Sequence, residues 1–201
     1  MKQEHLGIRV QLGIDMDTEE KMEMLRRVGE NPLVGSTSDG MPINPAEAHV
    51  TLLSLFETGH TNEENVSDRL RDASTDLVEM LGSWGLDGLV LQARGDRLSK
   101  FGNRLAVDLV TNDGLRDLRS RSKEILHDHC LGGQLVRYRP HISVTPQLKS
   151  PKKARARSRA VEVPEFFRVT GFDVGVHHTR KPRKKADPNN GYKNKPNGRT
   201  R

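Results

Sequence analysis

A chain of 201 residues is long enough for one well-buried domain and too short for two domains and a tail. Hydrophobic residues make up 33% of it and charged residues 30%, and no apolar run approaches the length that spans a membrane. The N-terminus lacks a long apolar stretch that ends in a small-residue cleavage site, so we expect no secretory signal. Cys130 is the only cysteine, which excludes an intramolecular disulfide and fits a cytoplasmic location.

The formal net charge of +6 is unevenly distributed along the chain. Residues 149–201 contain 16 Lys and Arg against 4 Asp and Glu, a net +12, and the remainder contains 17 against 23, a net −6. A basic segment of this kind usually contacts polyanions, most often nucleic acid. The alternative is a solvated tail without a partner, and the charge pattern leaves both interpretations open.

The hydrophobic pattern predicts an α+β fold with the element order β-α-β-α-β-β-α-β-β. The strand–helix–strand succession occurs twice, which predicts a two-lobed, duplicated β-α-β arrangement with antiparallel sheets that flank a central cleft. The predicted strands are 7–14, 48–56, 89–93, 104–110, 134–145 and 166–178, and the predicted helices are 19–29, 62–84 and 113–130.

Two basic segments near the C-terminus are predicted to lack regular structure. Residues 149–160, KSPKKARARSRA, are expected to form a loop between two strands. Residues 181–201 have almost no apolar side chain that could offset their ordering entropy, so we expect a disordered basic tail. The predicted domain therefore spans residues 1–180.

Two of the predicted strands contain a histidine followed by an apolar, a hydroxyl and an apolar residue. Residues i and i+2 of a strand share a face, so His49 and Thr51 should point the same way, as should His141 and Ser143. The two motifs lie 92 residues apart in comparable positions. The alternatives are two unrelated strand histidines with satisfied hydrogen bonds, or a zinc site, which needs a third ligand that neither motif brings.

The paired motif, HVTL at His49–Leu52 and HISV at His141–Val144, resembles the signature of the 2H phosphoesterase superfamily. The Arg-Pro that precedes the second histidine and the strand start FGNR at Phe101–Arg104 are also similar to that superfamily. The resemblance covers residues 6–178. The superfamily includes bacterial RNA 2',3'-cyclic phosphodiesterases (the "2'-5' RNA ligase" proteins), enzymes that degrade 2'-5' oligoadenylate, and phage anti-CBASS nucleases.

The resemblance implies a phosphodiesterase that uses neither a metal nor another cofactor. Phosphodiester cleavage needs a base to activate water or a ribose hydroxyl and an acid to protonate the leaving oxygen. Two imidazoles with pKa values near neutrality can serve, so His49 and His141 are the predicted catalytic residues. Thr51 and Ser143 are predicted to donate hydrogen bonds to the phosphate oxygens. The sequence does not show which histidine is the base.

Three further residues are candidate substrate contacts. Arg9 and Gln11 share the polar face of the first predicted strand, where simple exposure to solvent is the alternative. Arg139 precedes the second motif by two residues and either binds phosphate or forms a cross-strand ion pair. We expect Tyr138 to face the helices.

Three functions remain open on the sequence. The leading one is hydrolysis of RNA-type phosphodiesters, at 2',3'-cyclic phosphate ends or at 2'-5' linkages. The alternatives are a phage-type anti-CBASS nuclease that hydrolyses cyclic oligonucleotide signals, and a non-catalytic RNA-binding module. The basic C-terminal quarter favours RNA, since a small cyclic nucleotide needs no extended cationic surface. We expect a monomer that does not associate with membranes.

Overall fold

A computed structural model describes residues 4–34, 42–56, 63–132, 134–135 and 138–180 of the chain. Within those ranges the class is α+β, as predicted. The strands are β1 Glu4–Ile14, β2 His49–Phe56, β3 Val90–Gln92, β4 Ser99–Phe101, β5 Arg104–Asp108, β6 Gln134–Leu135, β7 His141–Ser143 and β8 Phe166–Arg180. The α-helices are α1 Glu19–Gly29, α2 Glu63–Ser83, α3 Asp113–Asp128 and α4 Pro151–Arg157.

The eight strands form one antiparallel sheet in the order β3-β8-β1-β2-β7-β5-β4, with β6 beside the far end of β2. Helices α2 and α3 pack on the β8–β1–β2 half, and α4 packs on the β4–β5 half. The two predicted lobes are therefore the two halves of a continuous sheet, and they meet where β2 pairs with β7.

Side-chain alternation divides the sheet into a buried face and an open face. In β1, Ile8, Val10 and Leu12 are fully buried, whereas Arg9 and Gln11 between them point to the other side. The buried side chains of the strands and helices form one core, in which each large aliphatic side chain contributes about 1.5–3 kcal/mol. We call the side of the sheet that carries Arg9 and Gln11 the open face.

Strand β4 lies in a segment, 94–103, that the sequence pattern assigns to a connector. Phe101 pairs with Arg104, so Gly102 and Asn103 form the two-residue turn of a hairpin between β4 and β5. Gly102 has a φ of 55°, in the left-handed region that glycine adopts without steric cost. A strand of three residues is too short for its alternation to stand out in the sequence.

The single strand predicted at 134–145 is wrong, because the described residues contain two short strands there, β6 and β7. Pro140 directly precedes β7 and has no N–H to donate to a neighbouring strand. The proline therefore accounts for the start of β7 at His141.

The basic loop predicted at 149–160 is also wrong, because helix α4 and a 3-10 turn, Ser158–Ala160, occupy most of it. Pro151 stands at the start of α4, where its missing N–H costs nothing, and Ala154 is fully buried against the sheet. The side-chain amide of Asn31 donates to the carbonyl of Ala154 and to the hydroxyl of Ser158, each at 2.9 Å. Two small buried residues and one buried amide thus hold α4 in place. The charged residues of this segment make the helix hard to recognise in the sequence.

The tail predicted at 181–201 lies outside the described residues. In the part of the chain that the structure describes, none of the helices combines the length and apolar character required to cross a bilayer.

Candidate active site

The pairing of β2 with β7 brings the two histidine motifs side by side. Val50 and Ile142 are Cα partners in this antiparallel pair, and both are fully buried. Their neighbours on either side therefore point to the open face, and the local arrangement is two-fold symmetric. The residues that stand opposite each other are His49 with Ser143, and Thr51 with His141. The two histidines are thus diagonal neighbours, whose backbones such pairs hold about 7–8 Å apart.

The same hydrogen bond orients both imidazoles. Nδ1 of His49 lies 2.8 Å from the carbonyl oxygen of Glu47, and Nδ1 of His141 lies 2.8 Å from the carbonyl oxygen of Arg139. A carbonyl oxygen only accepts, so Nδ1 carries the proton and donates in each ring. The other nitrogen, Nε2, has no hydrogen-bond partner among the described residues and is the atom that each ring can offer to a substrate.

On the β5 side, His141 is enclosed by an aromatic ring and an ion pair. The Phe101 ring stacks on the imidazole, with centroids 3.5 Å apart and 24° between the planes. Asp108 is the Cα partner of His141, and Arg139 donates from Nη2 to its Oδ2 at 2.5 Å. The Arg139 guanidinium also lies over the Phe101 ring, 5.6 Å from its centroid. Stacking and cation–π attraction together fix the plane of the His141 ring.

Of the two roles that the sequence leaves open for Arg139, the structure shows the ion pair with Asp108. The side chain of Arg139 is half-exposed, so the substrate contact stays a prediction. Tyr138 faces the helices, as expected, because the guanidinium of Arg119 on α3 lies 4.5 Å from its ring centroid.

Burial lowers the pKa of the His141 imidazole below its ordinary value. The carbonyl of Arg139 and the carboxylate of Asp108 act in the opposite direction, and the charges of Arg139 and His49 add to the lowering. A lowered pKa keeps His141 neutral near pH 7, with Nε2 able to accept a proton.

Replacing Asp108 by Asn should lower the pKa of His141 further. The change removes a carboxylate that stabilises the imidazolium and leaves the Arg139 charge, which disfavours it, without its partner. NMR titration of the His141 ring proton measures the shift, and Asp87→Asn, at an exposed site outside the sheet's open face, is the matched control. An unchanged or raised pKa in the Asp108 variant would contradict the arrangement described here.

On the β1 side, one of the two candidate substrate contacts, Gln11, lies next to the histidine motifs. Gln11 is the Cα partner of Thr51 and is half-buried. Arg9 is exposed on the same face, but its partner on β2 is Ser54, so it lies one row further from the histidines. The side chains of Arg9 and Gln11 form no hydrogen bond or ion pair with described residues, so both remain predicted substrate contacts.

Sequence reasoning missed two carboxylates on the open face. Asp108 shares one face of β5 with Arg104 and Ala106, as the two-residue period of a strand predicts from the sequence. Only the pairing of β5 with β7 shows that Asp108 lies next to His141. Asp173 on β8 is the Cα partner of Gln11 and is exposed. Both positions depend on strand register, which short-range patterns do not specify.

No three His, Cys, Asp or Glu side chains within the described ranges are grouped closely enough to hold a metal ion. The two motif histidines lie next to two hydroxyls on the open face. Such a set can move protons and donate hydrogen bonds to an anion.

Solved structures of other proteins are similar to this chain over most of its length. Usb1 of Kluyveromyces marxianus is 13% identical with a TM-score of 0.50, over 87% of this chain and 97% of Usb1. The PDE domain of MHV ns2 is 14% identical with a TM-score of 0.49, over 85% and 98%. E. coli LigT complexed with 3'-AMP is 17% identical with a TM-score of 0.47, over 88% and 94%.

The similarity to Usb1 shows a shared fold. No family model matches the chain. No curated protein matches it by sequence.

Proposed function

We propose that this chain is a metal-independent phosphodiesterase that cleaves RNA-type phosphodiesters, at 2',3'-cyclic phosphate ends or at 2'-5' linkages. The observation that supports it most is the antiparallel juxtaposition of the two histidine–hydroxyl motifs on one open face. Each imidazole is anchored through Nδ1 to a backbone carbonyl, so both Nε2 atoms are available to one phosphate between them.

In this proposal His141 is the base and His49 the acid. The half-buried His141 has a lowered pKa and is neutral, so its Nε2 takes a proton from water as the water oxygen forms a bond to phosphorus. Protonated His49 gives its Nε2 proton to the ribose oxygen as the bond between that oxygen and phosphorus breaks. One P–O bond forms, one breaks, and the two histidines exchange protonation states over the turnover.

The hydroxyls of Thr51 and Ser143 would stabilise the phosphate during this step. Each stands opposite one histidine, so a phosphate between the imidazoles has a hydroxyl donor near each side. Negative charge on the nonbridging oxygens grows in the transition state, and fixed donors aimed at those oxygens lower the barrier.

The basic C-terminal quarter supports RNA as the substrate class. Helix α4 presents the exposed side chains Lys152, Lys153 and Arg157, and no acidic residue lies between residues 149 and 161. Residues 181–201 add eight further Lys and Arg against one Asp. Cationic surfaces of this kind bind phosphate backbones and release counterions.

Deleting residues 181–201 should weaken binding of an RNA oligonucleotide and flatten the dependence of its affinity on salt. The deletion removes part of the charge that neutralises phosphates, and the salt slope falls with each lost phosphate contact. Turnover of a 2',3'-cyclic mononucleotide should be unchanged, because both histidine motifs remain. Fluorescence anisotropy over a range of salt concentrations measures the slope, and an unchanged slope would mean that the tail is only a solvated end.

A panel assay in EDTA tests the proposed function. The substrates are 2',3'-cyclic nucleotides, 2'-5' oligoadenylate and 3',3'-cyclic dinucleotides, and we expect hydrolysis of one of the first two. Turnover of the cyclic dinucleotides alone would favour the anti-CBASS alternative. RNA binding without any turnover would favour the binding module.

A further inference from the structure

The surroundings of the two motif histidines differ sharply, although the β2–β7 pair is locally symmetric. His141 has Phe101 stacked on its ring and Asp108 as its cross-strand neighbour. The corresponding neighbour of His49 on β1 is Gly13, and the next residue in the same row, on β8, is Gly171. The open face is therefore filled beside His141. Beside His49 the two strand positions carry no side chain of their own, and the Thr170 hydroxyl reaches over the first of them, 3.2 Å from where a Cβ on Gly13 would stand.

The two glycines form a floor of backbone two strands wide, which we call the glycine floor. A Cβ added at Gly171 would meet no atom within 4 Å, so the space above that residue is empty. Such a backbone surface lets a planar group approach closely above Gly171, next to the Thr170 hydroxyl. Because the floor begins at His49, a planar group attached to the reacting phosphate can reach it.

A polar edge runs alongside the glycine floor. Gln11 and Asp173 are Cα partners one row along the same two strands, and Thr51 is the next residue in that row. Neither Gln11 nor Asp173 uses its side chain for a hydrogen bond or ion pair with any described residue. Asp173 and Thr51 are two strands apart, so at about 4.8 Å between neighbouring strands their backbones are about 10 Å apart. One nucleoside can span that distance.

The chemistry of this edge selects its ligand. A carboxylate only accepts hydrogen bonds and repels phosphate, so Asp173 suits a neutral group with adjacent N–H donors. Guanine alone among the four RNA bases presents two adjacent donors, N1–H and the N2 amino group, next to an acceptor, O6. The Gln11 amide can donate to that acceptor, and the carboxylate can receive both donors.

On the basis of the proposed function, we propose that the glycine floor and the Gln11–Asp173 edge bind the base of the substrate nucleotide and select guanine. The base lies over Gly171, beside the Thr170 hydroxyl, while its phosphate lies between the motif histidines. The preferred substrate is then a guanosine 2',3'-cyclic phosphate or an RNA that ends in one.

The test compares kcat/KM for the four 2',3'-cyclic nucleoside monophosphates. We expect the guanosine compound to be the best substrate. Asp173→Asn should lower its kcat/KM by about 10- to 100-fold, the range for loss of a bidentate base contact, and leave the other three substrates nearly unchanged. Asp87→Asn, which changes an exposed carboxylate outside the open face, should have no effect.

A second variant tests the floor itself. Gly171→Leu should fold normally, because its Cβ has free space, and it should raise KM for all four nucleotides by filling that space. Circular dichroism and thermal unfolding verify the fold. An unchanged KM in the folded variant would mean that the base does not lie there.

The two proposals fail in different ways. Equal kcat/KM for the four nucleotides, or a guanine preference that survives in Asp173→Asn, would overturn the guanine inference while the proposed function stands. If neither a 2',3'-cyclic nucleotide nor 2'-5' oligoadenylate is hydrolysed, the proposed function fails, and calorimetric titration with guanosine and adenosine 2'-monophosphates decides the inference separately. Tighter guanosine binding that Asp173→Asn abolishes would support it, and equal binding of the two would overturn it.

Discussion

Turnover should fall by at least about 10²-fold when either His49 or His141 is replaced by alanine. Each variant removes one of the two groups that move protons, and neither imidazole can take over the role of the other during a single turnover. The measurement is kcat on a 2',3'-cyclic nucleotide in EDTA. Both histidines are half-buried on the open face and their side chains bond only to local carbonyls, so the variants should remain folded.

The hydroxyl residues are the matched controls for the histidines. Thr51→Ala and Ser143→Ala each remove one donor to the phosphate and leave the other three groups, so each should cost less than a histidine variant. A histidine variant that keeps the wild-type kcat would contradict the acid–base role of that residue. A hydroxyl variant that costs more than the histidine variants would show that phosphate stabilisation, rather than proton transfer, dominates catalysis.

Ile142→Ala should lower the free energy of unfolding by about 2–5 kcal/mol. Ile142 is fully buried, lies between His141 and Ser143, and pairs with Val50 on β2 and Val107 on β5. The truncation leaves a cavity at the junction of the two halves of the sheet. Denaturant unfolding followed by fluorescence measures the loss.

Ile142→Val is the control for this cavity, and its cost should be about 0.5–1.5 kcal/mol. A loss of free energy of unfolding below about 0.5 kcal/mol for Ile142→Ala would mean that the junction between β2 and β7 does not stabilise the fold. Because the residue lies directly behind the motif histidines, the alanine variant should also lower kcat more than its folded fraction explains.

The sequence predicted those parts of the site that depend on local geometry. That His49 shares a face with Thr51, and His141 with Ser143, follows from the two-residue period of a strand. The apolar residues Val50 and Ile142 mark the buried side at both places. Local alternation therefore identified four side chains that the structure places together.

Strand pairing accounts for what the sequence did not predict. Strand β2 pairs with β7, and the histidine of the β7 motif comes 92 residues after that of the β2 motif. No short-range pattern in the sequence predicts that these two strands are neighbours. Asp108 and Asp173 reach the site only through such pairings, with β7 and β1 respectively. In the sequence alone each is an ordinary polar residue of a strand, and only the strand register shows that it lies near the motifs.

Helix α4 was not predicted from the sequence because its many charged residues obscure the apolar pattern of a helix. Its segment PKKARAR consists mostly of good helix formers, but only Pro151 and Ala154 face the core. Two small buried residues in seven give too weak an apolar period to recognise. The helix depends on tertiary contacts, including the hydrogen bonds from Asn31, for which the sequence offers no local sign.

The pH dependence of kcat/KM in EDTA, measured for the wild type and the two histidine variants, tests the central claim most directly. We expect a bell-shaped wild-type profile whose acid limb belongs to His141, because burial lowers the pKa of its imidazole. The residual activity of each histidine variant should lose one limb, and in His141→Ala it should be the acid limb. Activity that disappears in EDTA and returns with Zn²⁺ or Mn²⁺, or limbs that both survive in the variants, would contradict a metal-free mechanism based on these two histidines.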